Sequence, residues 1–312
     1  MAERRPIFVD CAPEISCYLR PTIRAVMPDM DIRFDVPANE DDLIHRLKGR
    51  SAALVYMAYL SRRVLKACPE LKTIVYLSTG LATHADLDAV AEFGVDLTGV
   101  KGYGDRAVAE HAVVLGLCAL RRVAEADRAV RAGRFDLVLS EEFQGKTFGV
   151  VGLGGIGCET ARIASVLGMR VMAWNRTPAN PPADCELHEL DAVIANADIL
   201  SLHIALSDET RGFFDRRRLA RMKPGAALVN TARAELVDED ALIAGLDAGR
   251  PAYAALDVFH SEPLPPDHRL NRLDNVTLTS HSAWFTPQAV GRLLHAGFAC
   301  LAEKLKSPGP GG

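Results

Sequence analysis

The sequence has no segment long enough to cross a membrane: its longest apolar run, AALVYMAYL from Ala52 to Leu60, falls far short of the ~20 residues a span requires. The N-terminus, MAERRPIFVD, carries basic residues but no apolar stretch of signal-peptide length, which predicts a cytoplasmic protein. There is no CxxC pair. Cys11, Cys17, Cys68, Cys118, Cys158, Cys185 and Cys300 are scattered and odd in number, a pattern that predicts buried, reduced thiols rather than a disulfide framework. The nine histidines show no HExxH or other ligand spacing, so no metal is expected. A net charge of −4 lacks the basic excess of a nucleic-acid or membrane binder, leaving small molecules or a second copy of the chain as partners.

What is present suits a soluble globular protein: 49% hydrophobic and 24% charged residues over 312 positions, a length that predicts two domains because domains cluster near ~100–150 residues. The stretch TFGVVGLGGIGCETARIASVLGMRVMAWNRT, Thr147 to Thr177, reads as strand, glycine turn, helix and second strand. It is the signature of a dinucleotide-binding βαβ unit. Gly152 allows a tight turn, Gly154 lets backbone approach a pyrophosphate, and Gly157 lets the helix pack closely on the strand. The N–H groups of the helix start are then free for an anion.

Before this unit, the strand-like runs at 6–10, 31–36 and 52–56 alternate with helical patterns at Ile15–Met27 and Glu40–Lys48, and Ser61 caps a further helix. A strand in LKTIVYLSTG and another at Val95–Val100 complete a first parallel α/β domain. Its loops Met57-Ala58-Tyr59 and Ser78 to Thr83 are candidates for substrate contact, since ligands sit beyond the carboxyl ends of parallel strands. An alanine-rich helix runs from Asp105 to about Val130. After the cofactor unit, ADILSLHI, GAALVNTA, YAALDVF and NVTLTSH extend the second sheet to six strands. A last amphipathic helix starts near Thr286, and the tail SPGPGG is expected to be disordered.

Arg233, Glu262 and His281 follow three of the late strands. A carbonyl that accepts a hydride leaves an oxyanion in need of a proton, which histidine donates near neutral pH. A carboxylate bonded to the imidazole fixes its tautomer, and an arginine can hold a substrate carboxylate through two parallel hydrogen bonds.

The segments AVAEHA (Ala107–Ala112), GLGGIG, ADILSLHIALSDETRGFF (Ala197–Phe214), MKPGAALVNTARAELVDEDAL (Met222–Leu242), AALDVFHSEPLP (Ala254–Pro265) and NVTLTSHSAWFT (Asn275–Thr286) together resemble the D-isomer-specific 2-hydroxyacid dehydrogenases. The resemblance implies two doubly wound parallel α/β domains: a flavodoxin-like substrate domain over 1–101 and 286–312, and a Rossmann cofactor domain over 102–285. It implies Arg233 as substrate-binding arginine, His281 as acid/base and Glu262 as its carboxylate partner. Gly155 and Ile156 would bind the pyrophosphate, Thr231, Ala232 and Arg233 would line the cofactor, and Asp257 would meet the nicotinamide carboxamide. Backbone N–H groups around Gly80 and Leu81 would hold the substrate carboxylate, with Tyr59 and Trp284 as wall residues. A homodimer through the cofactor domain is also implied.

Ala234, Ala82 and Ser280 depart from the family pattern, where glycine, glycine and proline are usual. Glutamate at 262, rather than the glutamine of formate-oxidising members, points to a 2-oxoacid or 2-hydroxyacid. Trp284 resembles members acting on hydroxypyruvate or glyoxylate. The alternative is a nicotinamide-sensing, corepressor-like binding protein on the same fold. Where NAD-preferring folds place an acid, this chain has Asn175, followed by Arg176 and Thr177, which predicts NADP(H) over NAD(H).

Overall fold

The computed structural model describes residues 5–177 and 180–306, so the tail SPGPGG lies outside the described residues. The chain divides into two compact units, Met1–Gly104 with Thr286–Gly312, and Asp105–Phe285.

The first unit holds β1 (Ile7–Phe8), β2 (Asp31–Ile32), β3 (Ala52–Val55), β4 (Thr73–Tyr76) and β5 (Asp96–Gly99). They pair in parallel in the order β2-β1-β3-β4-β5, the flavodoxin-like order. Strands β1 and β3 are wholly buried, as expected of a parallel sheet covered on both faces. The C-terminal helix Pro287–Lys306 belongs to this unit and packs on β3 and β4 so closely that a Cβ on Gly297 would lie 2.3 Å from Leu77 Cδ2. Two expectations are corrected here. The region Ile15–Met27 is two single-turn helices, Pro13–Ser16 and Pro21–Arg24, because each proline starts a helix and Arg20, before the second, is extended. The strand expected over 31–36 pairs only at Asp31–Ile32.

The second unit holds β6 (Thr147–Val151), β7 (Arg170–Trp174), β8 (Cys185–Leu187), β9 (Ile199–Leu202), β10 (Ala227–Asn230), β11 (Tyr253–Leu256) and β12 (Val276–Leu278). All pairings are parallel, in the order β12-β11-β10-β9-β6-β7-β8. This is the Rossmann order with seven strands rather than the expected six. The additional strand, β8, is a three-residue edge in which only Cys185 is buried, too short for its period to show.

The expected helix Asp105–Val130 is also two: Asp105–Leu120 and Val123–Arg131. The break is at Arg122, in the left-handed region (φ 52°), where its guanidinium bonds Glu125 (2.7 and 2.6 Å) and donates to the Leu139 carbonyl (3.2 Å). The thiols are not uniformly buried: all are free, Cys17 is exposed, and only Cys11, Cys68 and Cys185 are fully enclosed. Burial pushes these three thiols up to about 12, about 11 and about 11, which disfavours thiolate chemistry there. Among the described residues no cluster of histidine, cysteine or carboxylate could hold a metal, and no helix is long and apolar enough to cross a membrane.

Candidate active site

Strand order reverses at β6, whose neighbours are β7 and β9, and ligands of such sheets gather at the carboxyl edge beside this switch point. The glycine turn leaves β6 there. Gly152 has φ 103°, and a Cβ on it would lie 2.6 Å from the His203 carbonyl oxygen. A Cβ on Gly157 would lie 1.9 Å from the Gly152 oxygen, so helix Gly155–Val166 approaches the turn as no other residue would allow. A Cβ on Gly155 would strike the Asp105 carboxylate at 1.9 Å, a constraint absent from the local motif. Around Gly154 the space is open, leaving its backbone accessible. Ile156 is half-buried in the first turn of that helix.

At the end of β7, Asn175 is already committed. Its Oδ1 accepts from Leu153 N–H (2.9 Å) and its Nδ2 donates to the carbonyl (2.9 Å) and hydroxyl (3.3 Å) of Thr177. Its amide ties the glycine turn to the loop after β7. Arg176 does not point freely into solvent either, since its Nη1 lies 2.8 Å from Glu209 Oε2.

After β10 the chain turns at Thr231, Ala232 and Arg233. Buried Asn230 builds the turn: its Oδ1 accepts from Ala232 N–H (3.0 Å) and its Nδ2 donates to the Arg233 carbonyl (2.8 Å). Half-buried Arg233 donates from Nη1 to the Ala232 carbonyl (2.7 Å). Among the described residues no carboxylate lies within ion-pair distance of it, which leaves a guanidinium suited to an incoming carboxylate. Thr231 Oγ1 is buried with no hydrogen-bond partner among them. An orphaned hydroxyl on the same sheet edge as an open glycine turn fits a nicotinamide dinucleotide, whose polar groups could satisfy it.

His281 Nδ1 is 2.8 Å from Glu262 Oε2, and Glu262 Oε1 accepts from Phe259 N–H at 3.0 Å. One carboxylate thus orders its own turn and orients the imidazole. His281 has φ 53°, a strained conformation for a residue with a side chain, and its loop is anchored by Asp257. Asp257 is fully buried. Its Oδ1 accepts from Thr279 Oγ1 (2.5 Å) and Ser282 N–H (3.0 Å), its Oδ2 from Ala283 N–H (2.9 Å). His111, from the segment AVAEHA, adds a contact to Thr279 Oγ1 at 3.0 Å. Asp257, expected at the nicotinamide carboxamide, thus anchors the histidine loop through its buried carboxylate. Trp284 follows, half-buried and edge-on to Phe285 at 5.3 Å.

His203, at the end of β9, lies 2.9 Å from Ser201 Oγ, and desolvation pushes it down to about 3. It is therefore uncharged near neutral pH. Asn230, Thr279, His111, His203 and Glu209 were not legible as site residues: Asn230, Thr279 and His203 sit at strand ends, but His111 lies within helix Asp105–Leu120 and Glu209 in the loop after β9.

In the first unit, Leu81 opens a single 3₁₀ turn with Gly80 before it, and among the described residues the Leu81 and Ala82 N–H groups have no hydrogen-bond partner. Tyr59 is 52% exposed. Its loop is held by Asp10, a buried carboxylate accepting from Tyr56, Met57 and Ala58 N–H at 2.8 Å each.

Residues 113–283 match a family model described as the NAD binding domain of D-isomer specific 2-hydroxyacid dehydrogenase. A glyoxylate reductase of Thermofilum pendens is 35% identical over 289 residues, covering 88% of this chain and 84% of that one. A crystal structure of a Thermus thermophilus protein superposes with TM-score 0.86 at 31% identity, covering 99% of both chains. An acyclic imino acid reductase (Bsp5) in complex with NADPH and D-Arg superposes with TM-score 0.81 at 28% identity, covering 94% of both. With the glycine turn, the open arginine and the histidine–glutamate pair on one sheet edge, these similarities make the chain a member of the D-isomer-specific 2-hydroxyacid dehydrogenases.

Proposed function

We propose that the protein reduces a small 2-oxoacid of the glyoxylate or hydroxypyruvate type to the D-2-hydroxyacid, with NADPH favoured over NADH. The observation that carries this reading is the 2.8 Å contact between His281 Nδ1 and Glu262 Oε2, together with the unpaired guanidinium of Arg233 on the same sheet edge. The bound dinucleotide supplies the hydride. Gly152, Gly154, Gly155, Ile156 and Gly157 would hold its pyrophosphate, and Thr231 and Ala232 would line it. With Nδ1–H donated to Glu262, His281 keeps Nε2 as the nitrogen that delivers a proton to the carbonyl oxygen. Arg233 binds the substrate carboxylate and polarises the carbonyl. In the first unit Gly80 and Leu81 would offer backbone donors to a substrate carboxylate and Tyr59 a wall; in the second, Trp284 would be a wall residue. The glyoxylate reductase similarity and Trp284 support a small substrate. Arg176 and the NADPH complex of the imino acid reductase support the cofactor preference. The test is consumption of NADPH and NADH with a panel of 2-oxoacids; no turnover with any of them would overturn the reading and leave a sensing role.

A homodimer through the second unit is part of the proposal. Helix Asp105–Leu120 spends most of its apolar side chains inside its own unit. What remains for a partner is the extended segment after it, where Phe135, Leu137 and Leu139 alternate at 90%, 98% and 89% exposure. Side chains this apolar and this exposed favour a second copy of the chain as cover.

A further inference from the structure

We propose that Glu209 is a specificity-determining residue of the cofactor site: it holds Arg176 in an ion pair that a 2′-phosphate must displace, and so restrains the preference for the phosphorylated dinucleotide that Arg176 would otherwise create. The inference rests on the cofactor reading above.

Strand β7 ends at Trp174, and the residue that follows this strand in dinucleotide-binding sheets meets the ribose hydroxyls of the adenosine half. Asn175, the residue at that position, is bonded to Leu153 and Thr177. Arg176, the next residue, pairs with Glu209 at 2.8 Å. Glu209 comes from the loop after β9, and that loop is not slack. Thr210 Oγ1 accepts from Ser207 N–H (2.7 Å) and donates to the Ala205 carbonyl (2.7 Å), pinning the turn that presents the carboxylate.

Both side chains are largely exposed, 69% and 78%, so the pair adds little to folding and can exchange partners on ligand binding. A 2′-hydroxyl can donate to Glu209 without disturbing Arg176. A 2′-phosphate gains a charge-assisted contact with Arg176 only by separating the pair, and then faces the freed carboxylate. The two residues thus favour opposite cofactors, which predicts use of both dinucleotides with a modest preference.

Calorimetric binding of 2′,5′-ADP and 5′-AMP isolates this contact from hydride transfer. Glu209→Gln is expected to tighten 2′,5′-ADP by about three- to tenfold at low ionic strength, less as salt rises, with 5′-AMP changed by less than ~2-fold. The gain should shrink in an Arg176→Ala background, where there is no guanidinium left to release. KM for NADPH should fall in Glu209→Gln with kcat unchanged, the pattern of a contact remote from the reacting atoms. If Arg176→Ala weakens 2′,5′-ADP but Glu209→Gln leaves it unchanged, the role of Glu209 is overturned. If Arg176→Ala itself has no effect, the phosphate does not meet Arg176 and the NADPH reading fails.

Discussion

Asp257 holds His281 from both sides: its own carbonyl accepts the His281 N–H at 2.8 Å, while its buried carboxylate accepts the next two N–H groups, Ser282 at 3.0 Å and Ala283 at 2.9 Å. His281 is thereby kept at φ 53° with its imidazole against Glu262. Asp257→Asn replaces an acceptor-only group with one that presents an NH₂ to a surrounding of donors. Each charge-assisted bond lost in an enclosed site costs ~1.5–3 kcal/mol. We expect a lower melting temperature, a lower kcat and an altered pH profile of kcat; a variant that loses stability but keeps the wild-type pH profile would show that Asp257 supports the fold without placing the histidine.

For the imidazole itself, His281→Gln should lower reductive turnover by a factor on the order of 10² to 10⁴, the usual worth of a general acid. Affinity for NADPH should hardly move. Glu262→Gln keeps an acceptor for Nδ1–H but removes the negative charge that favours the imidazolium, so reduction should require lower pH. Steady-state rates across pH test both, and wild-type turnover in His281→Gln would remove the histidine from the reaction.

Among the described residues Arg233 has no carboxylate within ion-pair distance, and its Nη1 donates to the Ala232 carbonyl. Arg233→Lys retains charge and loses the planar fork, so KM for a 2-oxoacid should rise and kcat fall, with a combined loss of roughly 2–3 kcal/mol in kcat/KM. Simple ketones, lacking the carboxylate, should be poor substrates of the unmodified protein. Equal rates with ketones and 2-oxoacids would refute the carboxylate clamp.

His203 gives a stability prediction with a definite sign. Its value falls from 6.5 to about 3 in the folded protein through desolvation, so below pH 6.5 the unfolded chain takes up a proton that the folded chain refuses. Its contribution is complete above that pH and declines down to about 3, by up to ~1.4 kcal/mol per pH unit. Denaturant titrations should show His203→Gln losing less stability than the parent between those limits. Parallel losses in the two proteins would show that the folded chain does not hold this imidazole uncharged.

The extended segment offers the test of assembly. Replacing Phe135, Leu137 and Leu139 together by serine should convert a dimer to a monomer in sedimentation at micromolar concentration, with the far-ultraviolet circular dichroism retained. A parent protein already monomeric at that concentration would exclude the dimer.

The amino-acid sequence by itself determined the parts whose cause is local. Glycines at 152 and 157 dictate a turn that a side chain would obstruct, and the apolar runs ending at Asn230, Leu256 and Leu278 dictate strands that deliver Arg233, Glu262 and His281 to one edge. Local pattern also misled where a side chain could be satisfied from afar. Nothing between Ala107 and Val130 marks a stop, and the helix breaks because Arg122 finds Glu125 and the Leu139 carbonyl. Tertiary structure decided the partners: the turn beside Asn175 supplied the Leu153 N–H, the loop after β9 brought Glu209 to Arg176, and the loop after β12 brought the Ser282 and Ala283 N–H groups to Asp257. The reason is the same in each case. Spacing along a chain specifies backbone conformation, but a buried or paired polar group is assigned by strand order and register, which bring together residues that no short window contains.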